Sequence, residues 1–161
     1  MSFFRKLFSK SSDEWVYIGS DEYITDYYNR TSVKILRELS LIQVDCQRVY
    51  TKKGKKILCD SWETLNLNND EKNDIDHSYT GYMFDYNNRK VSLLSITYVS
   101  RSDQVLGGWI FQTDEIKPGT LDEKVLKKYV YNPSGFNMNI KPGTIYEVIF
   151  NKLIKDYNIQ R

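Results

Sequence analysis

Residues 80–111 constrain the fold of this chain more than any other part of the sequence. Two runs rich in aromatic and β-branched residues, 81–86 and 90–99, flank the pair Asn87-Asn88. Because asparagine tolerates positive φ, this pair suits the two-residue turn of a β-hairpin. The sequence therefore predicts two antiparallel strands joined at this point.

The turn also determines which residues lie opposite each other. It places Asp85 opposite Lys90, Phe84 opposite Val91 and Tyr82 opposite Leu93. Pairs of opposite charge and aromatic–branched pairs each stabilise a ladder by roughly 0.2–1 kcal/mol. The side chains therefore support the register that the turn predicts.

The pattern continues into a third strand. Beyond Leu93 the apolar residues change parity, which indicates either a β-bulge or a strand covered on both faces. A second turn at residues 100–103 leads into Val105–Phe111, where Gly107 and Gly108 indicate a bend or a close backbone approach. The whole stretch predicts an antiparallel meander.

Further strands are predicted upstream. Trp15–Ser20, residues 23–28 and Leu41–Tyr50 have the composition of strands, whereas residues 33–39 fit a helical turn or a loop. The sequence Lys52-Lys53-Gly54 indicates a turn that would return the chain into a strand at residues 56–65. Residues 41–65 are thus predicted to form a hairpin.

Both cysteines and a basic cluster lie on this predicted hairpin. Cys46 would lie directly opposite Cys59, at a Cα separation that permits a disulfide. Two reduced and packed thiols are the alternative, since closing so short a loop adds little stability. The tip would carry Lys52, Lys53, Lys55 and Lys56, which would either bind an anionic partner or protect the hairpin end from aggregation.

Residues 66–78 are rich in Asn and Asp and predict a mobile surface loop with a solvated His77. Its acidic side chains, Asp70, Glu71, Asp74 and Asp76, lack the spacing of a calcium-binding EF-hand loop. A single histidine and two cysteines are too few for a zinc site. The sequence predicts no metal, no cofactor and no catalytic triad.

The C-terminal third predicts helices. Residues 116–123 and 140–147 repeat the spacing of a capping box, with Thr120 and Thr144 each followed three residues later by glutamate. The second helix, residues 145–157, carries a broad apolar arc, which the sheet is expected to cover. Residues 131–140 would be a loop or an edge strand. The predicted fold class is α+β, an antiparallel meander of about six strands with a C-terminal helix packed across one face.

Composition and the N-terminus bound the organisation of the chain. Its 161 residues predict a single domain at 14–161 behind a short amphipathic leader at 1–13. Lys+Arg 23 against Asp+Glu 21 is too balanced to predict a nucleic-acid partner. Residues 3–8 combine apolar and basic side chains, so the leader would either contact a membrane surface weakly or pack on its own domain. It lacks the apolar core of a signal peptide.

Several motifs resemble the surface-adhesin protein E-like family of bacterial exported domains. They are Trp15–Ser20, residues 27–33, Phe84-Asp85-Tyr86, residues 98–106 and Pro142-Gly143-Thr144. The chain has Tyr86 where many members have a cysteine, and no cysteine follows Cys59. The resemblance implies an antiparallel sheet with a C-terminal helix, a location in the cell envelope and a binding role without catalysis. The missing signal peptide predicts a cytoplasmic or peripheral membrane location instead.

These observations predict a non-enzymatic binding module. It would use a tyrosine-rich sheet face, exposed loops or an edge strand, because edge strands accept a strand from a partner protein or from a second copy. One alternative is a small carboxylate-dependent hydrolase or ligand-processing domain, although no carboxylate pair is recognisable from spacing. Another is an intracellular protein docked on a membrane through residues 3–8.

Overall fold

The computed structural model describes residues 14–113 and 123–160. In these ranges the chain forms nine strands and four α-helices. The strands are β1 (Trp15–Ser20), β2 (Ile24–Asn29), β3 (Lys34–Leu36), β4 (Leu41–Tyr50), β5 (Ile75–Asp85), β6 (Lys90–Ser100), β7 (Val105–Phe111), β8 (Tyr129–Asn132) and β9 (Asn137–Asn139). The helices are α1 (Lys52–Cys59), α2 (Asn69–Asp74), α3 (Glu123–Lys128) and α4 (Ile145–Asp156).

All nine strands belong to one sheet in the order β1-β2-β4-β5-β6-β7-β8, with β3 paired to β4 and β9 paired to β6. The prediction of six strands was therefore too low, because strands of three or four residues are too short to show periodicity. Every pairing is antiparallel except β7 with β8. That parallel pair follows from a crossover connection that includes α3.

The predicted β5–β6 hairpin register is confirmed. Asp85 lies opposite Lys90, Phe84 opposite Val91 and Tyr82 opposite Leu93. The next pair is Gly81 with Ser95, so Leu94 is the extra residue of a bulge, as the change in parity predicted. In β7 a Cβ on Gly108 would lie 1.8 Å from the Ile96 carbonyl oxygen, which confirms the close backbone approach.

The turn of this hairpin differs from the prediction. The residue with positive φ is Arg89 (φ 50°), not Asn87 or Asn88. The Asp85 carboxylate accepts hydrogen bonds from the backbone N–H of Asn88 at 2.9 Å and from its side-chain amide at 2.8 Å. These bonds stabilise a turn in which Asn88 needs no left-handed conformation.

The predicted hairpin at residues 41–65 is wrong beyond Tyr50, because the returning segment is helix α1. Thr51 is its N-cap, and the Gly54 N–H donates to Thr51 Oγ1 at 3.1 Å. Gly54 lies so close to the residue before β2 that a Cβ there would be 2.0 Å from the Tyr23 carbonyl oxygen. A short 3₁₀ helix, Trp62–Thr64, follows.

The predicted loop at residues 66–78 is also wrong. Asn68 and Glu71 form a reciprocal capping box at the start of α2, and β5 begins at Ile75. His77 is therefore a strand residue, and it is only 6% exposed. Capping by asparagine gives this segment regular structure despite its polar composition.

Helix α4 begins at the predicted residue and packs on one face of the sheet, called the covered face below. The Glu147 N–H donates to Thr144 Oγ1 at 3.4 Å, while the Glu147 carboxylate accepts from the Gly143 N–H at 2.9 Å. Phe150 packs on Phe84 with ring centroids 5.9 Å apart. The predicted cap at Thr120 and the predicted leader 1–13 lie outside the described residues. Within the described ranges, no helix is long and apolar enough to span a bilayer.

Candidate functional site

A row of polar side chains crosses the covered face beside the apolar area under α4. The register places Asp26 opposite Arg48, Arg48 opposite Ser78, and Ser78 opposite Tyr98. Arg48 donates from Nε to Asp26 Oδ1 at 2.8 Å and from Nη2 to Asp26 Oδ2 at 3.0 Å. Burial opposes the charged guanidinium, but the bonds to Asp26 outweigh it, so the pKa of Arg48 rises. The two parallel hydrogen bonds of this bidentate pair fix the guanidinium in one orientation.

The 3₁₀ helix Trp62–Thr64 places a second carboxylate above this row. The Tyr98 hydroxyl donates to Glu63 Oε2 at 2.9 Å. The Trp109 indole N–H donates to the Glu63 carbonyl oxygen at 2.8 Å, and the fully buried Thr64 hydroxyl donates to the Leu58 carbonyl oxygen at 2.9 Å. These bonds hold Glu63 in one position.

Between the sheet and α1 these groups open into a cleft of about 320 Å³, called the Arg48 cleft. Its lining includes Tyr23, Ile24, Arg48, Tyr50, Ile57 and Glu63. Burial raises the pKa of Tyr50 to about 12, and burial together with the Glu63 charge raises that of Tyr98 further. Both phenols therefore remain protonated at neutral pH, so they act as hydrogen-bond donors and not as bases.

A second depression, the β1–α4 groove, lies where helix α4 meets the first strand. It has a volume of about 470 Å³ and is lined by Val16, Tyr28, Arg30, Lys152, Asp156 and Tyr157. The Asp156 carboxylate accepts from the Tyr28 hydroxyl at 2.8 Å and from Lys152 Nζ at 3.0 Å. Burial works against ionisation of Asp156, but these bonds outweigh it and lower its pKa.

Strand β1 is an edge of the sheet next to this groove. Among the described strands it pairs only with β2, so alternate backbone N–H and C=O groups on its outer side have no partner in that part of the chain. Its sequence, WVYIGS, contains no proline and no charge. A register shift between Tyr17 and Gly19 marks a bulge at Ile18, which leaves the regular part of the edge at its N-terminal end.

A third depression, of about 530 Å³, lies between β3 and the segment before β9. Its lining includes Leu36, Leu39, Leu94 and Phe136, and none of the lining residues is charged. It therefore offers no charged group that would orient an ionic ligand.

The structure separates the two cysteines that the sequence placed together. Cys46 lies on β4 opposite Tyr28 and Thr80, while Cys59 is the last residue of α1. Both are free thiols, and burial raises the pKa of Cys46 well above its ordinary value. The Cys59 thiol donates to the Lys72 carbonyl oxygen at 3.5 Å. The strand pairing on which the predicted disulfide depended is therefore wrong.

The predicted basic cluster lies on helix α1 and not at a hairpin tip. Lys52, Lys53 and Lys56 are exposed and Lys55 is half-buried, and Lys53 pairs with Glu22 at 2.6 Å. None of the four lines the Arg48 cleft or the β1–α4 groove. An anionic partner for this cluster stays a prediction.

His77 and the acidic residues of α2 form no site with the Arg48 row. His77 Nδ1 lies 2.9 Å from Asp76 Oδ2. The His77 ring packs edge-on against the Tyr79 ring, with ring centroids 5.0 Å apart. Strand alternation puts His77 and Tyr79 on the face opposite the Arg48 row. In the described ranges no group of His, Cys, Asp and Glu side chains is placed to hold a metal ion.

The sequence analysis missed Asp26, Arg48 and Glu63. A signal was present on β4, where the inward positions Ile42, Val44 and Cys46 are followed at the same parity by Arg48. A charge at an inward position of a strand requires a buried partner, and Asp26 has the inward parity on β2. Glu63 carries no such signal, because its position depends on the fold of residues 52–64.

Comparison with known protein families, with curated proteins and with solved structures finds no similar protein. The resemblance to the surface-adhesin E-like family therefore stays a prediction based on short motifs.

Proposed function

We propose that this protein is a non-enzymatic binding domain that takes an extended segment of another protein into the β1–α4 groove. The observation that carries the proposal is an edge strand beside a groove under a helix, and the outer side of this strand is unpaired in the described part of the chain. In this mode of recognition the edge supplies backbone hydrogen bonds, and pockets beside it select alternate side chains. The edge and the groove together provide both parts.

The lining of the groove indicates which segment it accepts. Val16 and Tyr157, which are half-buried, offer an apolar surface to every second side chain of an added strand. Arg30 is exposed and has no ion-pair partner in the described part of the chain, and Lys152 lies beside it in the lining. The expected ligand is therefore an extended peptide that alternates apolar residues and carries a glutamate or aspartate near Arg30.

The polar groups of the Arg48 cleft support binding over catalysis. Asp26 is held by Arg48, and Glu63 accepts a hydrogen bond from the Tyr98 hydroxyl, which stays protonated. Asp21, at the cleft entrance, accepts the backbone N–H groups of Tyr23 and Ile24 at 2.7 and 2.9 Å. These bonds lower the pKa of Asp21, so it is a poor general acid at neutral pH.

The family resemblance supports the same reading, because it implies binding proteins of the cell envelope. The alternative of a carboxylate-dependent hydrolase would need Asp21 and Glu63 as its pair, since both line one cleft. Membrane docking through residues 3–8 concerns a part of the chain outside the described residues and stays a prediction.

Fluorescence anisotropy with two synthetic peptides tests the proposal. Each has about eight residues, enough for one strand, alternating valine and threonine, with either a glutamate or a lysine at one threonine position. We expect the glutamate peptide to bind more tightly. Arg30→Glu should weaken the glutamate peptide about three- to tenfold and favour the lysine peptide, because the contact is an exposed ion pair.

Arg101→Glu is the matched control, because Arg101 is also exposed and lies in the β6–β7 turn, away from the groove. Equal changes in the two variants would contradict binding at the groove. Sedimentation velocity supplies a second outcome. A dimer that Val16→Lys disrupts would show that the occupant is a second copy, which overturns the proposal of another protein.

A further inference from the structure

We propose that the Arg48 cleft binds a small organic cation, a primary ammonium or guanidinium group on an apolar stem, through the carboxylate of Glu63. This site is separate from the β1–α4 groove, so the inference goes beyond the proposed function.

The balance of charges in the cleft favours a cation. The carboxylates of Asp21 and Glu63 line the cleft together with one guanidinium, that of Arg48, which is paired with Asp26. Arg48 gives its bidentate contact to Asp26, and Glu63 forms no ion pair in the described part of the chain. An anion would meet a guanidinium that is already neutralised, whereas a cation would meet a carboxylate that lacks one.

The hydrogen bonds of Glu63 leave room for such a contact. Only Oε2 has a partner among the described residues, the Tyr98 hydroxyl at 2.9 Å. A carboxylate accepts several hydrogen bonds through its two oxygens, so Oε1 remains open to an N–H donor. The half-buried position of Glu63 limits competition from water.

The lining above Glu63 fits an alkyl stem. Ile24 and Ile57 supply apolar side chains, and Tyr23 and Tyr50 add aromatic rings, a side-chain type that attracts cations. The volume of about 320 Å³ accommodates a small ligand.

The walls of the cleft are fixed before any ligand arrives. The N-terminus of α1 is held at the start of β2, because the Thr51 N–H donates to the Tyr23 carbonyl oxygen at 2.9 Å. Trp109 and Thr64 hold the 3₁₀ helix that carries Glu63. A site on rigid elements loses little conformational entropy on binding.

Isothermal titration calorimetry with four probes tests the inference. Agmatine and n-butylammonium carry the cationic group, while 1-butanol and butyrate are their neutral and anionic counterparts. We expect only the two cations to bind. Glu63→Gln should weaken agmatine at least about tenfold, because it removes a charge-assisted hydrogen bond. The glutamine keeps an oxygen for the Tyr98 hydroxyl, and circular dichroism checks that the variant is folded.

Two further variants keep the test decisive. Glu22→Gln removes the same charge from a residue outside the lining and should leave agmatine binding unchanged. Ile57 is 57% exposed and lines the cleft, so Ile57→Lys should place a tethered ammonium near Glu63 and abolish binding. Ile57→Gln removes the same apolar contact without adding a charge, so it should weaken binding only slightly. Butyrate binding as tightly as the cations, or unchanged binding in Glu63→Gln, would overturn the inference.

The source of the cation is a separate arm of the experiment. An acetylated and amidated Gly-Lys-Gly peptide that binds as well as agmatine would assign the site to a lysine side chain of a partner. Binding of agmatine alone would assign it to a free small molecule. The peptides for the β1–α4 groove do not involve Glu63, so failure here and failure there are distinguishable.

Discussion

Helices α4 and α1 cover the same face of the sheet in two different ways. Under α4 the contacts are apolar and aromatic, and Phe84, Phe150 and Leu153 are completely buried. Under α1 the sheet presents Asp26 and Arg48, and a cleft separates the two layers. One half of the face is closed by packing, while the other is held open around paired charges.

The difference shows how one sheet can combine stability and recognition. Apolar contact is non-directional and lowers the free energy by removing apolar surface from water, so α4 packs on the sheet without a gap. Buried charges need specific partners in fixed positions, which the bonds around the 3₁₀ helix provide. We therefore expect substitutions under α4 to change mainly the free energy of unfolding, and those in the cleft to change stability only when they leave a charge unpaired.

Removal of an aromatic ring under α4 should have the largest effect. Phe150→Ala deletes a fully buried ring that packs on Phe84 and lies 5.3 Å below the Arg89 guanidinium. The expected loss is about 3–5 kcal/mol of unfolding free energy, measured by urea denaturation. Val148→Ala on the same helix is the control, since Val148 is 46% exposed. Equal losses would show that α4 does not close this half of the face.

Elements that depend on contacts between residues close in sequence were predicted correctly, whereas elements that depend on contacts between distant residues were not. The β5–β6 register was predictable because Asp85 and Lys90 meet across a short turn. Helix α1 was not, since its start depends on a contact between Gly54 and Tyr23, which are distant in sequence. The apolar residues of this lysine-rich segment come only at its end, in Ile57-Leu58-Cys59, so the sequence favoured a turn at its glycine.

The second prediction concerns the paired charges under α1. Arg48→Met leaves Asp26, which is 3% exposed, without its cation. Loss of one partner of a buried pair is expected to cost about 2–4 kcal/mol, whereas replacing both by apolar residues is often neutral. The double variant Arg48→Met with Asp26→Leu should therefore be more stable than Arg48→Met alone. Urea denaturation of the four proteins gives the coupling; additive losses would contradict a specific pair.

This pair also explains which part of the site the sequence could reveal. The inward position of Arg48 on β4 indicates a buried charge. Its partner, Asp26, lies on another strand, and only the register of β2 with β4 places it opposite Arg48. Glu63 depends on the placement of the whole α1 segment, so no local pattern predicts it. Tertiary contacts decide these positions.

The smallest effect is expected at Asp45, a half-buried carboxylate that, unlike Asp26, has no partner in the described part of the chain. Asp45 lies on the opposite face of β4, and its carboxylate makes no hydrogen bond or ion pair in the described part of the chain. Burial raises its pKa to about 6, above the ordinary value near 3.8, so between these pH values the folded state binds more protons than the unfolded state. Stability should therefore fall as pH rises through that window. Asp45→Asn, which cannot ionise, should be about 1–2 kcal/mol more stable than the parent at pH 7.5 and equal to it at pH 3.5.

Asp85→Asn is the control with the opposite sign. Burial opposes ionisation of Asp85 too, but the hydrogen bonds from Asn88 outweigh it and lower the pKa of Asp85. This substitution should therefore destabilise the protein at pH 7.5. A pH-independent difference for Asp45→Asn, followed by urea denaturation, would show that pairing is not what separates tolerated buried charges from costly ones.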